Sequence, residues 1–139
     1  MNITKPFEIA FKQKQEKNWD RIYVAVDIHG TIFKPSYSVD EHYKFYPVAK
    51  EALQVLSARP DVSIIVWSSS HEDMLAKYVD KLEKAGIKIA YTNENPEVED
   101  TDLASFKKKF YFNVGIDNNF GFEPETDWQI LLDYLHSLE

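Results

Sequence analysis

The chain has 139 residues, 44% of them hydrophobic, enough to bury one core without disulfides or a structural metal. Its 16 basic against 23 acidic side chains give a formal charge of −7 and a pI near 5.1, which works against non-specific binding to nucleic acid or an anionic membrane. With no cysteine, thiol nucleophiles, thiolate zinc sites and redox chemistry are excluded, and with no apolar run of the ~18 residues a membrane span needs, a soluble cytoplasmic protein is expected.

Residues 1–20 read as an N-terminal extension without an assigned role, although Phe7, Ile9, Ala10 and Phe11 are placed to pack on a sheet or meet a partner. Residues 21–139 read as the core of a single domain. The run 22–26 (Ile-Tyr-Val-Ala-Val) suits a strand covered on both faces and is followed by the polar stretch Asp27-Ile28-His29-Gly30-Thr31. Next comes a flap-sized segment, 33–46, whose Tyr37, Tyr43, Phe45 and Tyr46 are placed in sequence to form a rim over Asp27.

Val48, Ala52, Val55 and Leu56 predict a helix over 47–58, and the run 62–67 predicts a second strand closed by Ser68-Ser69-Ser70. A further helix over 71–85 carries Leu75, Tyr78, Val79 and Leu82 on one stripe and stops before Gly86; Ser70-His71-Glu72-Asp73 reads as its capping box. Weaker strands are expected over 87–91 and 111–116, separated in part by the turn-forming 92–96, and the second ends in Asp117-Asn118-Asn119. A last helix, 126–138, sets Trp128, Leu131, Leu132, Leu135 and Leu138 on one side. Trp67 and Trp128 read as core or interface residues, and His71 and His136 as surface residues.

Strands alternating with helices of this length predict an α/β fold: a three-layer, Rossmann-like parallel sheet flanked by helices. Chemistry in such sheets collects at the carboxyl ends of the strands, where this chain places its polar stretches.

The stretch Asp27-Ile28-His29-Gly30-Thr31, a Ser closing a hydrophobic strand at Ser68, a Lys before the fourth strand and Val114-Gly115-Ile116-Asp117 follow one another as the motifs of the haloacid dehalogenase superfamily do. The chain resembles that family over about residues 21–134, and the short intervening segments resemble its cap-less, phosphatase-like branch. The resemblance implies strand order 3-2-1-4 without a cap domain. It also implies Asp27 as the nucleophile that forms an aspartyl phosphate, Ser68 as a hydrogen-bond partner of the transferring phosphoryl, and Lys109 as the charge-neutralising lysine, with Lys107 and Lys108 as alternatives. Mg²⁺ would be held by Asp27, the His29 backbone carbonyl and Asp117, and substrate phosphate by Gly30, Thr31, Ser69 and Asn118.

Two positions depart from the family pattern. His29 stands where phosphatases of the family carry the Asp that acts as acid and base, and Asn118 where many relatives carry a second metal-binding Asp. Imidazole can exchange protons near neutral pH, but a nearby cation opposes its protonation, and fewer anionic ligands weaken Mg²⁺ binding. His29 therefore has two readings, a proton shuttle or a hydrogen-bonded residue that shapes its loop.

The leading expectation is a Mg²⁺-dependent phosphomonoester hydrolase acting on a phosphorylated small molecule or macromolecule. The alternative is a catalytically degenerate domain that binds a phosphorylated ligand or protein. A phospho-accepting receiver domain is disfavoured by motif order, because receivers place the phosphorylated Asp after the third strand. A sheet edge left open after the fourth strand also suggests a homodimer, an idea that light scattering of a monomer at all concentrations would sink.

Overall fold

The strands β1 (Ile22–Asp27), β2 (Val62–Trp67), β3 (Tyr91–Thr92) and β4 (Val114–Ile116) form one parallel sheet in the order β3-β2-β1-β4. The computed structural model describes residues 2–35 and 44–139, and its helices are α1 (Thr4–Lys17), α2 (Ala49–Ala58), α3 (Glu72–Lys84) and α4 (Asp127–Ser137). β1 is the centre of the sheet, paired from Ile22↔Val62 to Asp27↔Trp67 on one side and from Val24↔Val114 to Val26↔Ile116 on the other.

Side-chain alternation sorts the strands into two faces. Ile22, Val24, Val26, Val62, Ile64, Val66, Val114 and Ile116 join one buried cluster with the apolar residues of all four helices. The connections from β1 to β2 and from β2 to β3 step the same way across the sheet, so crossovers of one hand put α2 and α3 on the same side, and α1 and α4 complete that layer. On the opposite face Ala25 and Ile65 pack under Phe110, with Tyr23, Tyr91 and Phe112 around them. The third layer is thus an aromatic coil between β3 and β4 rather than a helix. The fold is the expected three-layer α/β parallel sheet in 3-2-1-4 order, with its helices gathered on one face.

Residues 4–17, without a role in the sequence, belong to this core. Ile3, Phe7 and Ala10 recur at helical spacing and are buried, while Ile9 stays exposed. The helix ends at Asn18, whose left-handed backbone (φ 58°) lets its N–H reach back to a carbonyl of the last turn.

Several boundaries differ from expectation for local reasons. α2 starts at Ala49 because Val48 holds a left-handed backbone, φ 68°. The capping box at Ser70 does not form: the residue preceding α3 is His71, its first turn has no side-chain cap, and the Ser70 hydroxyl pairs with Ser68 instead. β3 is shifted and short, since Ile87 turns into the core and only Tyr91 and Thr92 pair with β2. β4 begins at Val114 because Asn113 uses its side-chain carbonyl to accept the Tyr23 N–H, continuing the pairing with β1 by other means. No helix among the described residues is long and apolar enough to cross a membrane.

Candidate functional site

At the carboxyl ends of β1 and β4 the hydroxyl of buried Thr31 is the point on which the site converges. Its single proton is shared between Asp27 Oδ2 at 3.0 Å and Asn118 Oδ1 at 3.3 Å, while its oxygen accepts the Asn118 N–H at 3.0 Å. The Thr31 carbonyl accepts the buried indole N–H of Trp128 at 2.8 Å, so α4 fixes the loop from below. Gly30, at φ +73°, is where this loop touches the neighbouring one: a Cβ there would stand 3.1 Å from the Asn118 amide nitrogen.

Asp27 is half-buried beside Asp117, and its pKa is raised from 3.8 to about 6. Burial is the main cause and the charge of Asp117 the next, opposed by hydrogen bonds from Thr31 and the Ile28 backbone. Asp117 is itself held by two donors, the Asn119 N–H at 2.8 Å and the Trp67 indole N–H at 3.1 Å. Trp67 ends β2 and Asp117 follows β4, with β1 between them; neighbouring strands lie about 4.8 Å apart, so the indole reaches across the end of β1.

No group of three or more His, Asp or Glu among the described residues is arranged to hold a metal ion. The donor set offered is a pair of carboxylates repelling each other at a strand end, with the His29 carbonyl two residues along. That fits Mg²⁺, which keeps several waters and commonly takes only one or two carboxylates from the protein.

The other residues expected at the site are spread around this centre. His29 is exposed, and its ring stands edge-on to Tyr78 at 4.9 Å. The Ser68 hydroxyl is engaged with Ser70, both as partner of its hydroxyl and as acceptor of its N–H. Ser69 is exposed beside it. Lys107, Lys108 and Lys109 are all exposed, and among the described residues no ion pair joins any of them to Asp27. Lys107 and Lys108 border a hollow with Asn93, near the end of β3, whereas Lys109 borders another with Leu103 and Phe112. Phe45 and Tyr46 pack against the main core, Phe45 on Phe33 at 4.8 Å, and so anchor the base of the flap rather than its rim. Tyr37 and Tyr43 lie outside the described residues.

Two site residues escaped sequence reasoning. Trp67 is 36% exposed and orients Asp117 rather than filling the core. Asn93, expected only as part of a turn, clamps the Ser68 backbone with two 2.8 Å hydrogen bonds, one to its N–H and one to its carbonyl. Only an exposed-end Trp and an Asn in a turn at matching strand ends signalled them.

No protein-family model matches the chain, and no curated protein matches it. Among solved structures it is similar to a conserved protein from Bacteroides thetaiotaomicron, at 23% identity and TM-score 0.65, over 86% of this chain and 93% of that one. That likeness is one of fold.

A hollow of about 670 Å³ lies elsewhere, near the amino ends of the strands, lined by Trp19, Arg21, Tyr23, Glu97 and Tyr111. Tyr23 there donates to Glu97, and burial together with that carboxylate pushes its hydroxyl to about 12. Size alone favours this hollow. Open α/β sheets bind ligands at the carboxyl ends of their strands, and the converging carboxylates are there, so the candidate site is assigned to Asp27 and Asp117.

Proposed function

We propose that the chain is a Mg²⁺-dependent phosphomonoester hydrolase of the haloacid dehalogenase type, using Asp27 as nucleophile. The observation that carries this reading is the convergence of Asp27, Thr31, Asp117 and Asn118, with two carboxylates close enough for one to lift the other's pKa. Asp27, Asp117 and the His29 backbone carbonyl would hold Mg²⁺, which would supply neutralisation of the charge on the carboxylates and the phosphoryl oxygens. Thr31 and the Ile28 backbone orient the Asp27 carboxylate, one oxygen of which attacks phosphorus in this scheme. The P–O bond to the alcohol breaks as the new bond forms, the alcohol leaves with a proton, and water then hydrolyses the aspartyl phosphate to inorganic phosphate and free Asp27. His29, exposed at the loop, supplies and receives the proton in this scheme. Zero cysteine favours a cytoplasmic setting.

The second reading, binding of a phosphorylated ligand without turnover, is favoured by Asn118, whose side chain is tied to Thr31. Release of phosphate from an aryl phosphate, with and without Mg²⁺, separates the two in the wild type, Asp27→Asn and His29→Asp. The hydrolase reading expects Mg²⁺-dependent release that falls at least about a thousandfold in Asp27→Asn, since the covalent route is then lost. Release only in His29→Asp favours the binding reading, and silence in all three proteins rejects the hydrolase.

A further inference from the structure

Beside the carboxylates lies an aromatic surface that phosphoryl transfer itself does not use. Trp67 is 36% exposed and Phe120 54% exposed, although large aromatic side chains normally bury most of their area. Their ring centroids are 6.5 Å apart, and Phe110 and Phe112 back the indole at 5.7 and 6.2 Å.

Two features make this surface part of the site rather than a stray patch. The indole N–H is bonded to Asp117, so the platform begins one hydrogen bond from the carboxylate pair. The fourth strand also makes room for it at Gly115, where a Cβ would stand 3.1 Å from Phe120 and 3.2 Å from Phe112. The sheet face is flattened at the position over which these rings close.

We propose that the site takes phosphate monoesters whose alcohol carries a flat aromatic group, with the phosphoryl at Asp27 and the aromatic group stacked on Trp67 and flanked by Phe120, whose ring is tilted 53° to the indole. The proposal rests on the phosphoryl-binding reading above. Few converging polar groups beside an apolar wall is the usual division of labour in a small-molecule site, one part fixing the charged end and the other the organic body. A polyol phosphate of similar size gains nothing from ring faces, whereas a flat π-system gains stacking whatever its substituents.

The test uses phosphonates, whose C–P bond is not hydrolysed, so it reads binding whether or not the protein turns substrate over. Calorimetric titration with Mg²⁺ compares phenylphosphonate, cyclohexylphosphonate and methylphosphonate on the wild type and on Phe120→Ala, a change at an exposed ring. The expected result is phenylphosphonate binding about tenfold tighter than either other ligand, in line with the stacking of one flat group, and a preference that shrinks to about twofold in Phe120→Ala. Equal binding of phenyl and cyclohexyl ligands, or an unchanged preference in the variant, overturns the platform while the phosphoryl site stands. If none of the three binds, the phosphoryl site falls and the platform with it.

Discussion

The raised pKa of Asp27 is a statement about stability as well as chemistry. Its folded value of about 6 exceeds the ordinary 3.8, so the folded chain binds the extra proton between those values. The associated stability is fully present below about pH 4 and is lost as pH rises through 6. Asp27→Asn removes the penalty, and urea unfolding is expected to show the variant more stable than wild type at pH 7.5 by roughly 1 kcal/mol, a figure discounted for solvent screening of a half-exposed group. The difference should vanish near pH 4. A variant no more stable than wild type at pH 7.5 would show that Asp27 carries no such penalty. Asp27 and Asp117 were legible because each directly follows a hydrophobic run at a strand end, and Thr31 and Asn118 because they stand in the polar stretches that come next. Trp67 was not, because its partner lies two strands away, and strand order alone does not show how far a side chain reaches across the sheet end. Lys107, Lys108 and Lys109 are exposed in coil, where spacing before a strand does not place a side chain.

At the level of elements, the helical stripes of α2, α3 and α4 could be read because apolar positions recur every three or four residues. The same periodicity runs into α1, where Ile3 just before the helix, Phe7 and Ala10 point one way, and of the two roles open to this segment in the sequence it takes packing on the core. Phe7 is fully buried, with ring neighbours Phe11 at 6.3 Å and Tyr134 of α4 at 6.4 Å. Phe7→Ala should therefore leave a cavity and lower the unfolding free energy by about 3–4 kcal/mol, measurable by urea denaturation. A loss below about 1 kcal/mol, the level of a surface substitution, would mean that α1 is an appendage after all. The short strands were the least legible elements. Asn113 substitutes a side-chain carbonyl for backbone pairing, and Ile87 spends its apolar side chain on the core, so neither β-propensity nor hydrophobicity marks where β3 and β4 begin.

For the whole molecule, the two unequal faces of the sheet divide the work. Helices on one face supply most of the buried apolar surface and hold the site loop through Trp128, while the aromatic coil on the other packs Phe110 and Phe112 against Trp67 of β2, which holds Asp117. Parallel order was readable from alternation of elements, but a coil as third layer was not, since Phe106 stands alone among the charges of 97–109 and Phe110, Tyr111 and Phe112 follow as an unbroken aromatic run without a period-two or helical pattern. Because the carboxylate pair joins β1 to the end of β4, an ion bound there ties together segments far apart in the chain and stabilises only the folded form. At a hundred times its dissociation constant such an ion adds about 2.7 kcal/mol, or roughly 8 °C in melting temperature for a domain of this length. Protons compete for Asp27, whose pKa is about 6. One unit below that value roughly nine-tenths of the site is protonated, apparent affinity falls about tenfold, and about half of the thermal shift should remain. Melting curves in Mg²⁺ and in chelator at pH 7.5 and pH 5.0 measure this directly. A shift of equal size at both pH values, or one that survives in Asp27→Asn, would mean that Mg²⁺ acts somewhere other than the carboxylate pair.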